Sequence, residues 1–158
     1  MIEIIPNKGS YKLEYWPTIK VQWYYKKKDV DLVKNNLNEK KLSSISEYEV
    51  FKTNHYDVIF IETIIGKCLI LTFEEYESQI EVNNNVFYSR YGYDPTKNLL
   101  LPRFEKWEKH CKCILPLNPD QLYIRCDICS KWFHPECCGI KESEIEEVEF
   151  ICYLCKSN

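Results

Sequence analysis

The chain has 158 residues, with 21 lysines and arginines against 24 aspartates and glutamates, a net charge of −3. It is long for one small domain and short for two large ones, and its slight acidity counts against a protein that wraps a phosphate backbone. No apolar run approaches the roughly 18 residues of a membrane span, and Met1 to Ser10 lacks the apolar core of a signal peptide, so neither a membrane protein nor a secreted one is expected.

Aromatic residues make up 15% of the chain, 12 of them tyrosines, and there are only 4 glycines. Tyr- and Trp-rich alternation favours strands. Met1 to Ile5 reads as a strand end and Asn7-Lys8-Gly9-Ser10 as a turn. Thr18 to Tyr25 alternates, with Ile19, Val21, Trp23 and Tyr25 on one face, and predicts a half-buried strand. Lys26-Lys27-Lys28 reads as its solvated end. Asp29 to Ser46 is polar, a loop with room for a short helix. Glu47 to Thr53 and Val58 to Thr63 read as two strands flanking Asn54-His55-Tyr56-Asp57. Gly66 to Phe73 reads as a third strand, with Cys68 buried in it and inert. Glu74 to Glu81 allows a turn or two of helix, Asn83-Asn84-Asn85 a turn, and Val86 to Tyr93 another strand, ended by Asp94-Pro95. Pro102 to Lys109 leads into a cysteine-rich tail.

That tail sets Cys111, Cys113, Cys126, Cys129, His134, Cys137, Cys152 and Cys155 in the order C-x-C, twelve residues, C-x2-C, four residues, H-x2-C, fourteen residues, C-x2-C. Closely spaced thiolates can bind the same tetrahedral ion, and eight ligands in four pairs make two closed, structural Zn2+ sites with no open position for water. A disulfide framework is the competing reading, but without a signal peptide the thiols belong in a reducing compartment. Of 9 cysteines, Cys68 and Cys138 are left over. Cys138 competes with Cys137, and the commoner H-x2-C spacing favours Cys137. From Trp107 onward there are 6 Lys/Arg against 9 Asp/Glu, so the whole acidic excess lies in the zinc module. Such a module repels phosphate and attracts basic peptides.

Four cysteines, a histidine in fifth place and three more cysteines resemble the PHD finger; a RING finger carries its histidine fourth. Trp132, two before His134, and Phe150, two before Cys152, match as well. The resemblance implies an interleaved, cross-brace arrangement: Cys111, Cys113, His134 and Cys137 on one zinc, Cys126, Cys129, Cys152 and Cys155 on the other. Upstream, Val21 to Tyr25, Tyr48 to Phe51, Asn54 to Val58, Ile65 to Cys68 and Phe87 to Tyr91 resemble a BAH domain. Cys111-Lys112-Cys113 and Asn118-Pro119-Asp120 extend the likeness to the plant BAH–PHD chromatin readers of the Early Bolting in Short Days and Short Life type. The fold class it implies is mainly β: a BAH domain, a distorted antiparallel β-barrel-like fold, over residues 1–106, and a small two-zinc PHD finger over 107–156. Against that family the BAH domain lacks its first strands.

Methylated ammonium groups are recognised by aromatic faces, each ring contributing roughly 0.5–2 kcal/mol. Trp23 and Tyr25, two apart on a strand, point the same way. The resemblance makes them walls of a methyl-lysine cage bordered by His55 and Asp57, with Tyr11 or Tyr15 as candidates for a third wall; core packing is the competing role. In the finger it makes Trp132 and Tyr123 pocket walls, with His110 and Leu117 where the family often has other pocket residues. Asp120 and Asp127 are acids that can pair with a basic tail. There is no phosphate loop, nucleophile elbow or H-E-x-x-H, and no nucleophile accompanies His55 and Asp57, so an enzyme is not expected. The resemblance implies a nuclear, chromatin-binding reader of histone H3 tails on the nucleosome, BAH on trimethylated lysine 27 and PHD on lysine 4. Such a reader acts in transcriptional silencing with other chromatin-complex proteins and does not bind specific DNA sequences. A zinc-finger scaffold that reads nothing is the alternative, and a RING-like ubiquitin ligase a more distant one.

Overall fold

The computed structural model describes residues 3–5, 17–79, 83–145 and 148–156, with side chains described from residue 17 onward. The expected turn at Asn7–Ser10, Tyr11 and Tyr15, and the end of the helix expected over Glu74–Glu81, lie outside these residues. Among the described residues, no helix is long and apolar enough to cross a membrane. The chain forms two compact units that are interleaved in sequence. The first comprises Met1–Leu37 and Glu47–Phe104, and the second joins Asn38–Ser46, which carries helix α1 (Glu39–Ser43), to Glu105–Asn158.

The first unit is mainly β. Strands β1 (Glu3–Ile5), β2 (Thr18–Lys26) and β3 (Val50–Phe60) run antiparallel. β3 then pairs in parallel with β6 (Gly92–Asp94), which pairs antiparallel with β7 (Leu99–Leu101). A separate parallel pair joins β4 (Leu69–Leu71) to β5 (Val86–Tyr88), and helix α2 (Phe73–Glu77) lies between those two in sequence, capped by the Thr72–Glu75 box. Ile19, Phe51, Tyr88, Leu100 and Phe104 are buried in full or nearly so. Gly92 sits opposite Lys52, where an added Cβ would stand 3.0 Å from the Lys52 carbonyl oxygen. A side chain there would crowd that carbonyl, and the two strands would have to part slightly to admit it.

Three sequence expectations give way here. The two strands expected on either side of Asn54 to Asp57 are one: β3 runs through these residues, and the extra residues are absorbed as a bulge. Gln22 pairs with Tyr56 and Tyr24 with Lys52, so Trp23 alone faces Thr53, Asn54 and His55. Thr53 locks this irregularity. Its hydroxyl donates to the Trp23 carbonyl (2.7 Å) and accepts the His55 N–H (3.1 Å), while the Gln22 amide donates to the Thr53 carbonyl (2.6 Å). Val86 to Tyr93 is two strands in different sheets, because Tyr88 turns fully inward toward Glu49 and the chain changes partner beyond it. Only Leu69–Leu71 of the expected Gly66–Phe73 strand is regular, and Cys68 is exposed rather than buried. Local hydrophobicity was a poor guide in this stretch, where every residue from Ile61 to Ile70 is exposed.

The second unit holds β8 (Ile124–Arg125) paired antiparallel with β9 (Trp132–Phe133), and the short helices α3 (Pro135–Cys138) and α4 (Tyr153–Lys156). Its core is Ile124, Cys126, Phe133, Phe150 and Cys152, with Phe133 edge-on to both Phe150 and Tyr153. So small a core leaves little stabilisation to burial alone.

Candidate metal centres and aromatic surfaces

Tight backbone turns bring the thiols together. The Cys126–Cys129 loop closes with Ser130 N–H on the Cys126 carbonyl (2.9 Å), Ser130 taking a left-handed φ of 57°. α4 begins just after Cys152 and presents Cys155 from its first turn. α3 starts after His134 with proline at its first position, and it ends at Gly139, whose φ of +73° favours glycine. One turn of helix thus carries Cys137 round to His134.

Cys111, Cys113, His134 and Cys137 form one group and Cys126, Cys129, Cys152 and Cys155 another, the ligand atoms of each lying within 4.8 Å of one another. The first group contains Cys137, not Cys138. A regular tetrahedron with zinc–sulfur bonds of about 2.3 Å has edges of about 3.8 Å. Cys129 and Cys152 sulfurs are 3.7 Å apart and those of Cys126 and Cys155 4.0 Å; His134 Nδ1 stands 3.4 Å from the Cys113 sulfur and 4.0 Å from that of Cys137. Both groups therefore fit a tetrahedral metal ion, with donor sets of three thiolates and an imidazole, and of four thiolates.

The electrostatics call for a cation. Burial opposes ionisation of Cys126, but the N–H groups of Cys129, Cys152 and Ile128 outweigh it and lower the pKa to about 6. Cys155 is pushed up to about 12 by burial and by its thiol neighbours, and Cys137 likewise to about 12 by burial and by Cys111 and Cys113. Four thiolates cannot share such a space without a compensating charge, and a dication supplies it. His134 has its pKa lowered, chiefly by burial, which keeps the ring neutral and the Nδ1 lone pair free to bind metal. Its Nε2 lies 3.0 Å from the Gln121 side-chain oxygen, a contact that fixes the tautomer.

The four finger residues expected at a peptide surface are differently placed. Trp132 is exposed and lines a hollow of about 390 Å³ with His110, Tyr153 and Leu154, while the Arg125 guanidinium lies 6.0 Å from its ring. Tyr123 packs on His134 at 4.6 Å between centroids, and its hydroxyl accepts the Asn118 N–H (2.9 Å). Asp120 lines a second hollow, of about 620 Å³, with Gln121, His134 and Glu136. Asp127 accepts the Phe150 N–H (2.7 Å) and ties the two loops of the second metal group together. Leu117 is buried.

In the first unit, Trp23, Tyr25 and His55 do come together. The His55 ring lies 6.4 Å from Trp23, inclined by 37°, and 6.1 Å from Tyr25, inclined by 75°. The Tyr25 hydroxyl is 2.9 Å from His55 Nδ1. Trp23 is 38% exposed, so its ring is available to a ligand. The bulge carries His55 to this position, and buried Tyr93 backs Tyr25 at 5.5 Å. Asp57 is exposed and bonds the N–H of its neighbour Val58. Sequence reasoning missed Tyr93 and Gln121. Tyr93 lies on a strand distant in sequence, and Gln121 has no spacing signature; its closeness to Asn118-Pro119-Asp120 was the one signal at hand.

Residues 10–102 match the BAH domain family, and the chain belongs to it. It is similar to the Arabidopsis thaliana chromatin remodeling protein SHL, at 33% identity over 138 residues, 87% of this chain and 57% of that protein. The Arabidopsis thaliana chromatin remodeling protein EBS is 34% identical over 111 residues, 70% of this chain and 47% of EBS. The chain thus spans about half the length of these curated relatives. The PHD finger protein MALE MEIOCYTE DEATH 1 of the same plant is 33% identical over 51 residues, 32% of this chain and 7% of that protein.

Proposed function

We propose that this chain is a nuclear reader of histone H3 tails, its BAH domain binding trimethylated lysine 27 and its zinc-loaded PHD-type finger binding the segment around lysine 4. The observation that carries the reading is the open set of Trp23, Tyr25 and His55 rings, held by a strand bulge and by the Tyr25–His55 contact. A trimethylammonium group is large and weakly hydrated, and inclined π faces attract it. In the finger, Trp132 and its hollow offer one aromatic wall, and Asp120 and Glu136 give the second hollow acidic lining. The two Cys-rich groups hold Zn2+ and give the finger its fold. Within a chromatin complex such a module places a silencing assembly on marked nucleosomes; it carries out no reaction of its own.

Calorimetric titration of the zinc-loaded chain with H3 peptides tests this, using unmodified, lysine 4-trimethylated and lysine 27-trimethylated forms. Trp23→Ala is expected to abolish preference for the lysine 27 mark, and Trp132→Ala to weaken binding of the lysine 4 peptide. Equal binding of all three peptides by the parent chain, or none, refutes methyl-lysine reading and leaves a scaffold.

A further inference from the structure

The end of helix α1 is capped from the finger. A helix leaves its last carbonyls without intrahelical partners. One of these, the Ser43 carbonyl, accepts the Asn118 side-chain amide at 2.8 Å and the Gln121 amide at 3.4 Å, from 75 and 78 residues away. Lys41 adds a 3.6 Å ion pair with Glu105. The same Gln121 offers its side-chain oxygen to His134 Nε2. Asn118 also reaches His134 through a second route, its N–H bonding the Tyr123 hydroxyl while the Tyr123 ring lies on the imidazole. His134 Nδ1 stands in the first metal group. An unbroken series of contacts therefore runs from the α1 carbonyl to a metal-binding atom, all of it inside the second unit.

We propose that Gln121 is a positioning residue for the Cys111–Cys113–His134–Cys137 site, and that residues 38–46 support that site through it. Docked helix α1 holds the Gln121 amide by its nitrogen. The amide oxygen then holds the imidazole in the tautomer and orientation that present Nδ1 to metal. Loosening α1 frees Gln121, the ring gains freedom, and metal leaves faster. By linkage, whatever affinity for metal this site gains from the docked 38–46 segment, bound metal returns as tighter docking of that segment. The second group, built from Cys126, Cys129, Cys152 and Cys155, has no such tie among the contacts described and serves as the internal control.

The proposal rests on metal filling both groups, so the parent chain is first loaded with Co2+ and its stoichiometry determined; failure to bind two ions refutes that reading rather than this one. Sites with three and with four thiolates differ in cobalt absorption, which separates their release into a chelator. Gln121→Leu removes the contacts with Ser43, His134 and the Tyr123 hydroxyl, Gln121→Glu keeps an acceptor for His134 and loses the donor to Ser43, and Asn38→Ala removes the α1 cap that bonds Lys41 N–H. Expected is roughly 10-fold or faster release from the three-thiolate site in Gln121→Leu, in line with the 10–100-fold cost of losing such outer contacts. Gln121→Glu and Asn38→Ala should show a smaller, several-fold acceleration, with the four-thiolate site unchanged in all three. Both should also raise amide exchange over residues 39–45 in the loaded chain. If Gln121→Glu and Asn38→Ala both release at the parent rate, the support from 38–46 is overturned. If Gln121→Leu does so too, the role of Gln121 falls with it.

Discussion

Arg90→Ala is expected to cost the first domain about 3–5 kcal/mol, a large part of the 5–15 kcal/mol that stabilises a typical domain. Arg90 grips Glu49 with a fork, Nε to one carboxylate oxygen at 2.9 Å and Nη2 to the other at 2.7 Å. The Glu49 side chain is 0% exposed and that of Arg90 11%. Tyr88 donates its hydroxyl to the same carboxylate at 3.3 Å, and the guanidinium lies 4.4 Å from the Phe73 ring and 5.5 Å from that of Tyr88. Burial works against the Arg90 charge, but its hydrogen bond with Glu49 and their attraction outweigh burial and raise its pKa above the ordinary value. Truncating Arg90 leaves a carboxylate in a dry site without its counter-ion, and that penalty, not the lost attraction, sets the magnitude. Replacing both residues, as Glu49→Leu with Arg90→Leu, removes the charge that must be desolvated and should recover most of the loss. Urea unfolding of the three chains, followed by circular dichroism and tryptophan fluorescence, reads this directly. A loss below about 1 kcal/mol in Arg90→Ala, or a double variant no better than the single one, refutes the reasoning.

Two further outcomes follow from the geometry. The Asp94 carboxyl is held down to about 2 by the Thr96 hydroxyl and the Thr96 and Lys97 N–H groups. Its folded pKa lies below its unfolded value, so its contribution is complete above about pH 4 and disappears as pH falls toward 2; the urea midpoint of Asp94→Asn should depend less on pH in that window than the parent's, and equal slopes would rule this out. Chelation of the metal should unfold the second unit while leaving the first folded, because on the order of 10 kcal/mol per site depends on the ion. Limited proteolysis should then cut after the lysines and arginines from Lys109 onward, and full protection of that region in chelator would contradict the assignment.

The two groups of four ligand residues were legible because their chemistry is local: two thiols one or two residues apart can meet wherever the chain goes. Trp23 and Tyr25 were legible for a similar reason, since alternation puts them on one face of a strand. His55 reached them by another route. Its place depends on Thr53 and Gln22 holding a bulge between two strands, in a stretch that the sequence divides into two separate strands. Cys68 misled because an apolar neighbourhood in sequence, Ile64 and Ile65 before it and Leu69 and Ile70 after, is not a buried one; all of them are exposed. Asp127 had the right residue type for a surface acid, yet its carboxylate serves a backbone N–H across the finger. Partners of this kind are distant in sequence and leave no pattern in it.

The interleaving of the two units bears on how the chain is made. Helix α1 leaves the ribosome first, and the Asn118 and Gln121 amides that cap it follow only after the whole of Glu47–Phe104 has been translated. At roughly 5–20 residues per second that is a wait of several seconds. A five-residue helix has almost no tendency to persist alone, so through this interval the segment is an open stretch of chain bridging two parts of the first unit. The finger, synthesised after the first unit, must find a piece of itself already emplaced upstream. Excising residues 105–158, or grafting a foreign finger at that point, therefore separates two parts of one unit, and swaps along this chain should respect the boundary at Asn38–Ser46 as much as the one at Glu105.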